Sequence, residues 1–187
     1  MTRTATSRLY FISINCPPSI DEQVMVHKQW MHRHFGCRVA MRSPGHITLI
    51  PPFWLEESRQ EELELRFHAF RSQQNELQIS MNGFAHFGDR VLYIKVEENP
   101  DLGALRNHAE LHFKNAFPEV IKPDSRPFQP HVTIATRDVL PDTFVKAWAH
   151  FSNAPFTAGF QTKIISLLKL VDGKWTTIAT QDWCENQ

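Results

Sequence analysis

The tripeptide pattern His-x-Thr occurs twice in this chain, each time shortly after a proline and inside a short apolar run. The first copy reads Pro44-Gly45-His46-Ile47-Thr48-Leu49-Ile50, the second Pro130-His131-Val132-Thr133-Ile134-Ala135. Side chains alternate faces along a strand, so in each copy the imidazole and the hydroxyl share one surface while the apolar residues anchor the other in a core. A fold that brings the two strands together sets two imidazoles and two hydroxyls around one small anion. Histidine titrates near neutrality, so the pair can supply a base and an acid while the threonines donate hydrogen bonds. His46, Thr48, His131 and Thr133 are therefore the candidate catalytic residues.

The rest of the chain alternates strand and helix signals. Residues 9–14 read as a strand, ended by Pro17-Pro18. Residues 20–35 carry Ile20, Val24, Trp30, Met31 and Phe35 at helical spacing, with Ser19 as the expected cap and Gly36 as the expected stop. The first His-x-Thr strand is expected to stop at Pro51-Pro52, and a charged helix to cover residues 56–72. Two strands, 77–87 and 91–96, are joined by Gly88-Asp89-Arg90 as a hairpin. Asn99 starts a third helix whose apolar members include Leu102, Leu105, Ala109, Leu111, Phe113 and Phe117. A loop over 118–130 leads to the second His-x-Thr strand. A short helix over 141–150 follows, then strands at 156–160, 163–171 and 175–183, with Asp172-Gly173 as a hairpin turn. This order predicts an α/β or α+β fold with mainly antiparallel sheets, as one domain over residues 1–187.

Composition narrows the function. Twenty basic residues balance twenty acidic ones, which argues against a broad electrostatic footprint for duplex nucleic acid. An apolar fraction of 42% with 14 phenylalanines suffices for a core. Cys16, Cys37 and Cys184 are an odd set without paired spacing, as expected of reduced thiols in the cytoplasm. No signal peptide and no membrane span are read from the sequence. There is no Walker or GxGxxG loop. His108 and His112 stand one helical turn apart, a candidate zinc pair lacking an evident third ligand. A solvated helix face is the simpler reading for them, as it is for His27, His32 and His34.

The paired motifs His46-Ile47-Thr48-Leu49 and His131-Val132-Thr133-Ile134, with the aromatic opening strand Leu9-Tyr10-Phe11-Ile12, resemble the two-histidine phosphoesterase superfamily. Within it they resemble the bacterial family of 2′-5′ RNA ligases and 2′,3′-cyclic phosphodiesterases. The resemblance implies a bilobal structure with a pseudo-twofold axis, a central cleft between two antiparallel sheets, and one motif from each lobe. It implies hydrolysis of 2′,3′-cyclic phosphates on RNA ends or small nucleotides, leaving a 2′-phosphate, with reverse 2′-5′ ligation by the same groups. No metal, cofactor, membrane or protein partner is implied, and a monomer is expected. Alternatives that keep the site are a 2′,5′-phosphodiesterase and an ADP-ribose cyclic phosphate hydrolase; a protein that binds nucleotides or RNA ends without turnover belongs to another class.

Base recognition would fall to aromatic and cationic residues near the motifs, with Tyr10, Phe11, Phe53, Arg126 and Phe128 as candidates. Relatives carry an arginine five positions after the second histidine. That place is Thr136 in this chain, and the candidate Arg137 follows it, on the opposite face if the strand continues.

Overall fold

Strand β1 (Ser7–Asn15) and strand β2 (His46–Glu56) pair antiparallel, separated in sequence by helix α1 (Pro18–Phe35) and a short 3₁₀ turn, Val39–Arg42. The computed structural model describes residues 6–122 and 126–184. Helix α1 ends where its sequence said it would: Gly36 takes φ 71°, and its N–H reaches the His32 carbonyl. Its start differs. Pro17 occupies the cap position and Pro18 the first turn, where a missing N–H costs nothing, so Ser19 lies inside the helix.

The second half repeats the arrangement. Strands β3 (Leu77–Phe87) and β4 (Val91–Val96) form the expected hairpin, helix α3 (Pro100–Ala116) follows, and strand β5 (His131–Thr136) pairs antiparallel with β4. Asn99 caps α3, its side chain accepting from the N–H groups of Asp101 and Leu102. Between the halves lies helix α2 (Gln60–His68), and after them helix α4 (Pro141–Phe151) and strands β6 (Thr157–Thr162), β7 (Ile164–Val171) and β8 (Lys174–Asp182). Asp172 and Gly173, at φ 48° and 76°, make a two-residue turn between β7 and β8, as Asp-Gly favours.

The result is two four-stranded antiparallel sheets, ordered β2-β1-β7-β8 and β5-β4-β3-β6. Each His-x-Thr strand is the edge of its sheet. Helix α1 packs against β5 of the other sheet, α3 packs against β2, and the two edge strands touch. Each half thus covers the other's motif strand, and one apolar cluster runs through both: Ile12, Ile47, Val24, Ile94, Val132 and Leu105 all belong to it. Among the described residues no helix is long and apolar enough to cross a membrane.

Two expectations shift here. Strand β2 does not stop at Pro51-Pro52 but continues to Glu56, because an edge strand has an unpaired side on which proline loses no ladder bond. The prolines sit opposite Phe11 where the register slips between Tyr10 and Ile12, a bulge that absorbs them. Helix α2 is consequently shorter than residues 56–72; Glu56 stays in the strand, accepting from the hydroxyls of Thr6 and Ser7 at 2.5 and 2.6 Å. Of the apolar members of α3, Leu111 is exposed.

Candidate active site

Both motif histidines open their strands and are held alike. The Nδ1–H of His46 donates to the Pro44 carbonyl at 2.8 Å, and that of His131 to the Gln129 carbonyl at 2.8 Å. A carbonyl can only accept, so each ring carries its proton on Nδ1 when neutral and presents Nε2 as the nitrogen available for chemistry. Ile47 and Val132 are wholly buried, as strand alternation requires, while His46, Thr48, His131 and Thr133 keep partial exposure.

The residue after each threonine is an extra one. Thr48 pairs with Ser13 but Ile50 with Ile12, leaving Leu49 unmatched. Thr133 pairs with Tyr93 but Ala135 with Leu92, leaving Ile134 unmatched. A bulge at the same motif position in both strands bends each edge just past its hydroxyl. It also explains why Leu49 and Ile50, like Ile134 and Ala135, are buried side by side.

Rings enclose the imidazoles. Phe11 lies 4.8 Å from His46 between ring centroids and meets the edge of Trp175 at 4.5 Å. Phe87 and Tyr93 flank His131 at 4.9 and 5.0 Å, and Gln129 Nε2 donates to the Tyr93 hydroxyl. Opposite the first motif, on β1, Ser13 is the pairing partner of Thr48 and Asn15 that of His46. Ser13 donates to Asn15, and Asn15 to Thr177, a polar chain running across the sheet.

This enclosure disfavours charge. Burial pushes the His46 imidazole down to about 4; the Pro44 carbonyl opposes that, while the nearby charges of Lys28 and His131 add to it. Burial likewise lowers His131, against the pull of the Gln129 carbonyl. In the free protein both rings thus lean toward the neutral form.

A cleft of about 730 Å³ is lined by Thr48 and His131, one residue of each motif, and by Pro51, Pro52, Phe87 and Val91; His46 and Thr133 are not on its wall. Arg106, Arg126 and Phe128 also line it. Arg106 comes from α3, is only 8% exposed, pairs with Glu110 and lies over the Phe128 ring at 5.7 Å.

The structure thus brings Arg126 and Phe128 to the cleft and sets Phe11 against His46. Tyr10 it places elsewhere. One position from Phe11 on β1, it faces the core, wholly buried, with its hydroxyl donating to Gln60 at 3.1 Å. Phe53 stacks on Tyr10 in that core and reaches only a second cavity of about 380 Å³ beyond the prolines. Arg137 lies past the end of β5, exposed, at φ 63°, and is not on the cleft wall. Thr136 pairs with Val91, which is on it. Arg106, Phe87, Tyr93 and Trp175 were not singled out by the sequence; each comes from an element distant in the chain, and none has a local signal that separates it from core.

Away from the cleft, the His112 ring bonds the Arg66 carbonyl and His108 the Ser72 hydroxyl. Among the described residues no three His, Cys, Asp or Glu side chains converge as metal ligands would. His27, expected at the surface, packs edge-on against Phe84, Phe151 and Phe156, and burial lowers its proton affinity.

A profile of the 2′-5′ RNA ligase superfamily matches residues 16–174, both motifs included. Comparison with curated proteins yields no match. Among solved structures the fold is similar to LigT of E. coli complexed with 3′-AMP, at 19% identity and TM-score 0.63, covering 93% of this chain and 97% of that one. It is similar to a phosphoesterase at 19% identity and TM-score 0.62, covering 95% and 99%. TT0787 of Thermus thermophilus matches at 17% identity and TM-score 0.63, covering 96% and 100%. At such identities the structures speak to the fold alone, but the profile spans most of the sequence, and the chain belongs to the 2′-5′ RNA ligase superfamily.

Proposed function

We propose that this protein is a metal-independent phosphoesterase that opens 2′,3′-cyclic phosphates on RNA ends or small nucleotides, in the cytoplasm and as a monomer. A neutral imidazole takes a proton from water as the water oxygen bonds to phosphorus. A protonated imidazole gives its proton to the 3′ oxygen as the P–O3′ bond breaks, leaving a 2′-phosphate. Thr48 and Thr133 donate to the non-bridging oxygens, where charge accumulates. With a 5′-hydroxyl in place of water as nucleophile, the base takes its proton, the acid protonates O3′ as the P–O3′ bond breaks, and the product is a 2′-5′ phosphodiester; its cleavage back to the cyclic phosphate exchanges the two proton roles.

The observation that carries this reading is the matched presentation of His46 and His131: the same tautomer, held by the same upstream carbonyl, on edge strands that touch. Two groups of one chemical type, near enough for their charges to oppose, suit in-line acid–base catalysis on a phosphate. Arg106, Arg126 and Phe128 suit the remainder of a nucleotide, a base stacking on the ring and anionic groups meeting the guanidiniums. LigT has been crystallised with 3′-AMP, NADP+ and ATP, which makes nucleotides the first ligands to try.

The test is a panel assayed with EDTA present: 2′,3′-cyclic nucleotides, an RNA with a cyclic end, a 2′,5′-linked dinucleotide and ADP-ribose 1″,2″-cyclic phosphate. Cyclic phosphates should turn over fastest, and His46→Ala and His131→Ala should each cost roughly 10²–10⁴-fold. Binding without turnover of any member would make the protein a nucleotide-binding module. Wild-type rates in either variant would remove that histidine from the mechanism.

A further inference from the structure

The cleft uses only part of the surface around the motifs. On strand β1, Phe11, Ser13 and Asn15 share the face that carries the first motif, because Asn15 pairs with His46 and Ser13 with Thr48. That face continues across the sheet. Phe11 pairs with Leu168 on β7 and Leu168 with Thr177 on β8, which puts Trp175, two residues earlier, on it as well. Phe11 and Leu168 are buried, Asn15 and Trp175 half-buried, and Thr177 exposed. The ring planes of Phe11 and Trp175 stand at 80°, so Phe11 covers at most one face of the indole. Beside the rings runs a hydrogen-bonded chain with one direction. The Ser13 hydroxyl donates to Asn15 Oδ1 at 2.9 Å, and Asn15 Nδ2 donates to Thr177 Oγ1 at 3.2 Å. Thr177 therefore accepts within the chain and keeps its own proton to donate, as Asn15 keeps its second amide proton. None of Asn15, Trp175 and Thr177 lines the cleft of about 730 Å³.

We propose that Trp175, Asn15 and Thr177 form a site for an uncharged nucleoside, separate from the cleft that holds Arg126 and Phe128. The inference builds on the phosphoesterase reading of the motifs, since a reaction that joins or splits two nucleosides through one phosphate needs a place for each. Charge assigns the two places. None of Phe11, Ser13, Asn15, Leu168, Trp175 and Thr177 carries a charge. In the second half, the strand partner of His131 is Lys95, at the position that Asn15 holds beside His46, and the cleft adds Arg106 and Arg126. The cationic half suits the strand that ends in the cyclic phosphate. The neutral half suits a nucleoside that brings only a 5′-hydroxyl. An indole face stacks on any base, whatever its sequence. The two donors of Asn15 and Thr177 suit the carbonyl and ring-nitrogen acceptors of a base edge. The substrate class that fills both places is a 2′,5′-linked nucleotide of two or more units, with Trp175 and its polar neighbours holding the nucleoside on the 5′ oxygen.

The experiment titrates the free protein, isotope-labelled at tryptophan, with adenosine and with uridine, and follows the indole N–H resonances by NMR. Trp175→Phe identifies the Trp175 resonance by its loss. That resonance should shift saturably with both nucleosides, and Thr177→Val should weaken their binding about 2–10-fold, the worth of one hydrogen bond. This arm needs no turnover, so it reads the nucleoside site even if no phosphate is opened. On substrates, Trp175→Ala should lower kcat/KM for a 2′,5′-linked dinucleotide roughly tenfold or more beyond its effect on a 2′,3′-cyclic mononucleotide, which fills only the other place. Equal losses on the two substrates would reduce Trp175 to a support for Phe11. That result, an unmoved Trp175 resonance, or undiminished nucleoside binding in Thr177→Val would each overturn the proposal. Trp175→Leu, which keeps apolar bulk without a stacking face, repeats the substrate comparison should the alanine variant fail to fold.

Discussion

His46 and His131 are lowered in proton affinity by the very enclosure that positions them. The free-enzyme profile should accordingly lie acid of the ordinary imidazole range. The kcat/KM optimum is expected below pH ~6.5, the reference value for histidine, with the profile of kcat displaced upward because a bound phosphate favours both imidazoliums. Steady-state kinetics across pH on a cyclic nucleotide would check it, and a kcat/KM optimum in the alkaline range would count against the two histidines as the titrating pair. The limbs report the coupled pair rather than one ring each. At this scale the sequence displayed the two rings but not their surroundings. Gly45 stands in the sequence where a larger polar residue would be expected before the motif, and only the approach of Asp21, Cys16 and Val24 shows why a side chain has no room there. Likewise Lys28 reads as one more charge on a polar helix until α1 is laid against the sheet.

Elements were legible where their signals are local. Gly36, Asn99, Gly88 and the Asp172-Gly173 turn all serve as read, since a cap or turn is decided within a few residues. The Pro51-Pro52 pair misled because a proline's meaning depends on whether its strand is an edge, which is a property of the sheet. Asn99 offers a test of how element and site are linked. Its side chain caps α3 through two N–H groups and also donates to the Gln78 carbonyl on β3, and α3 delivers Arg106 to the cleft. Asn99→Ala should lower stability by about 1–2 kcal/mol in denaturant unfolding with an unchanged m-value. A loss below a few tenths would mean that the cap is dispensable.

At the scale of the molecule, the two β-α-β halves exchange helices, so neither motif strand is buried by its own half alone. One further tie joins them. Asp138, just past β5, accepts the N–H groups of Arg38 and Val39, which lead into the first motif, while Cys37 Sγ donates to the Asp138 carbonyl. Removing that carboxylate strands two N–H groups and frees the spacing between the motifs. Asp138→Ala should cost about 1–3 kcal/mol in stability, and cyclic phosphate turnover should fall in kcat more than in KM, because alignment rather than binding is lost. Unchanged kcat in a destabilised variant would show the tie to be purely structural.

The sequence by itself determined which residues are candidates for the chemistry, the element order and the antiparallel α/β class. Periodicity, caps and turns are local, and His-x-Thr in a β run places imidazole and hydroxyl on one face wherever the strand goes. The tertiary structure alone decided which aromatic rings and cations join them. It kept Phe128 and Arg126 at the cleft, sent Tyr10 and Phe53 into the core by strand parity, left Arg137 beyond the strand end, and brought Arg106, Phe87, Tyr93 and Trp175 from afar. It also decided the proton affinities. Those follow from burial and from charges such as Lys28 that are close only in space, and no reading along one dimension contains that distance.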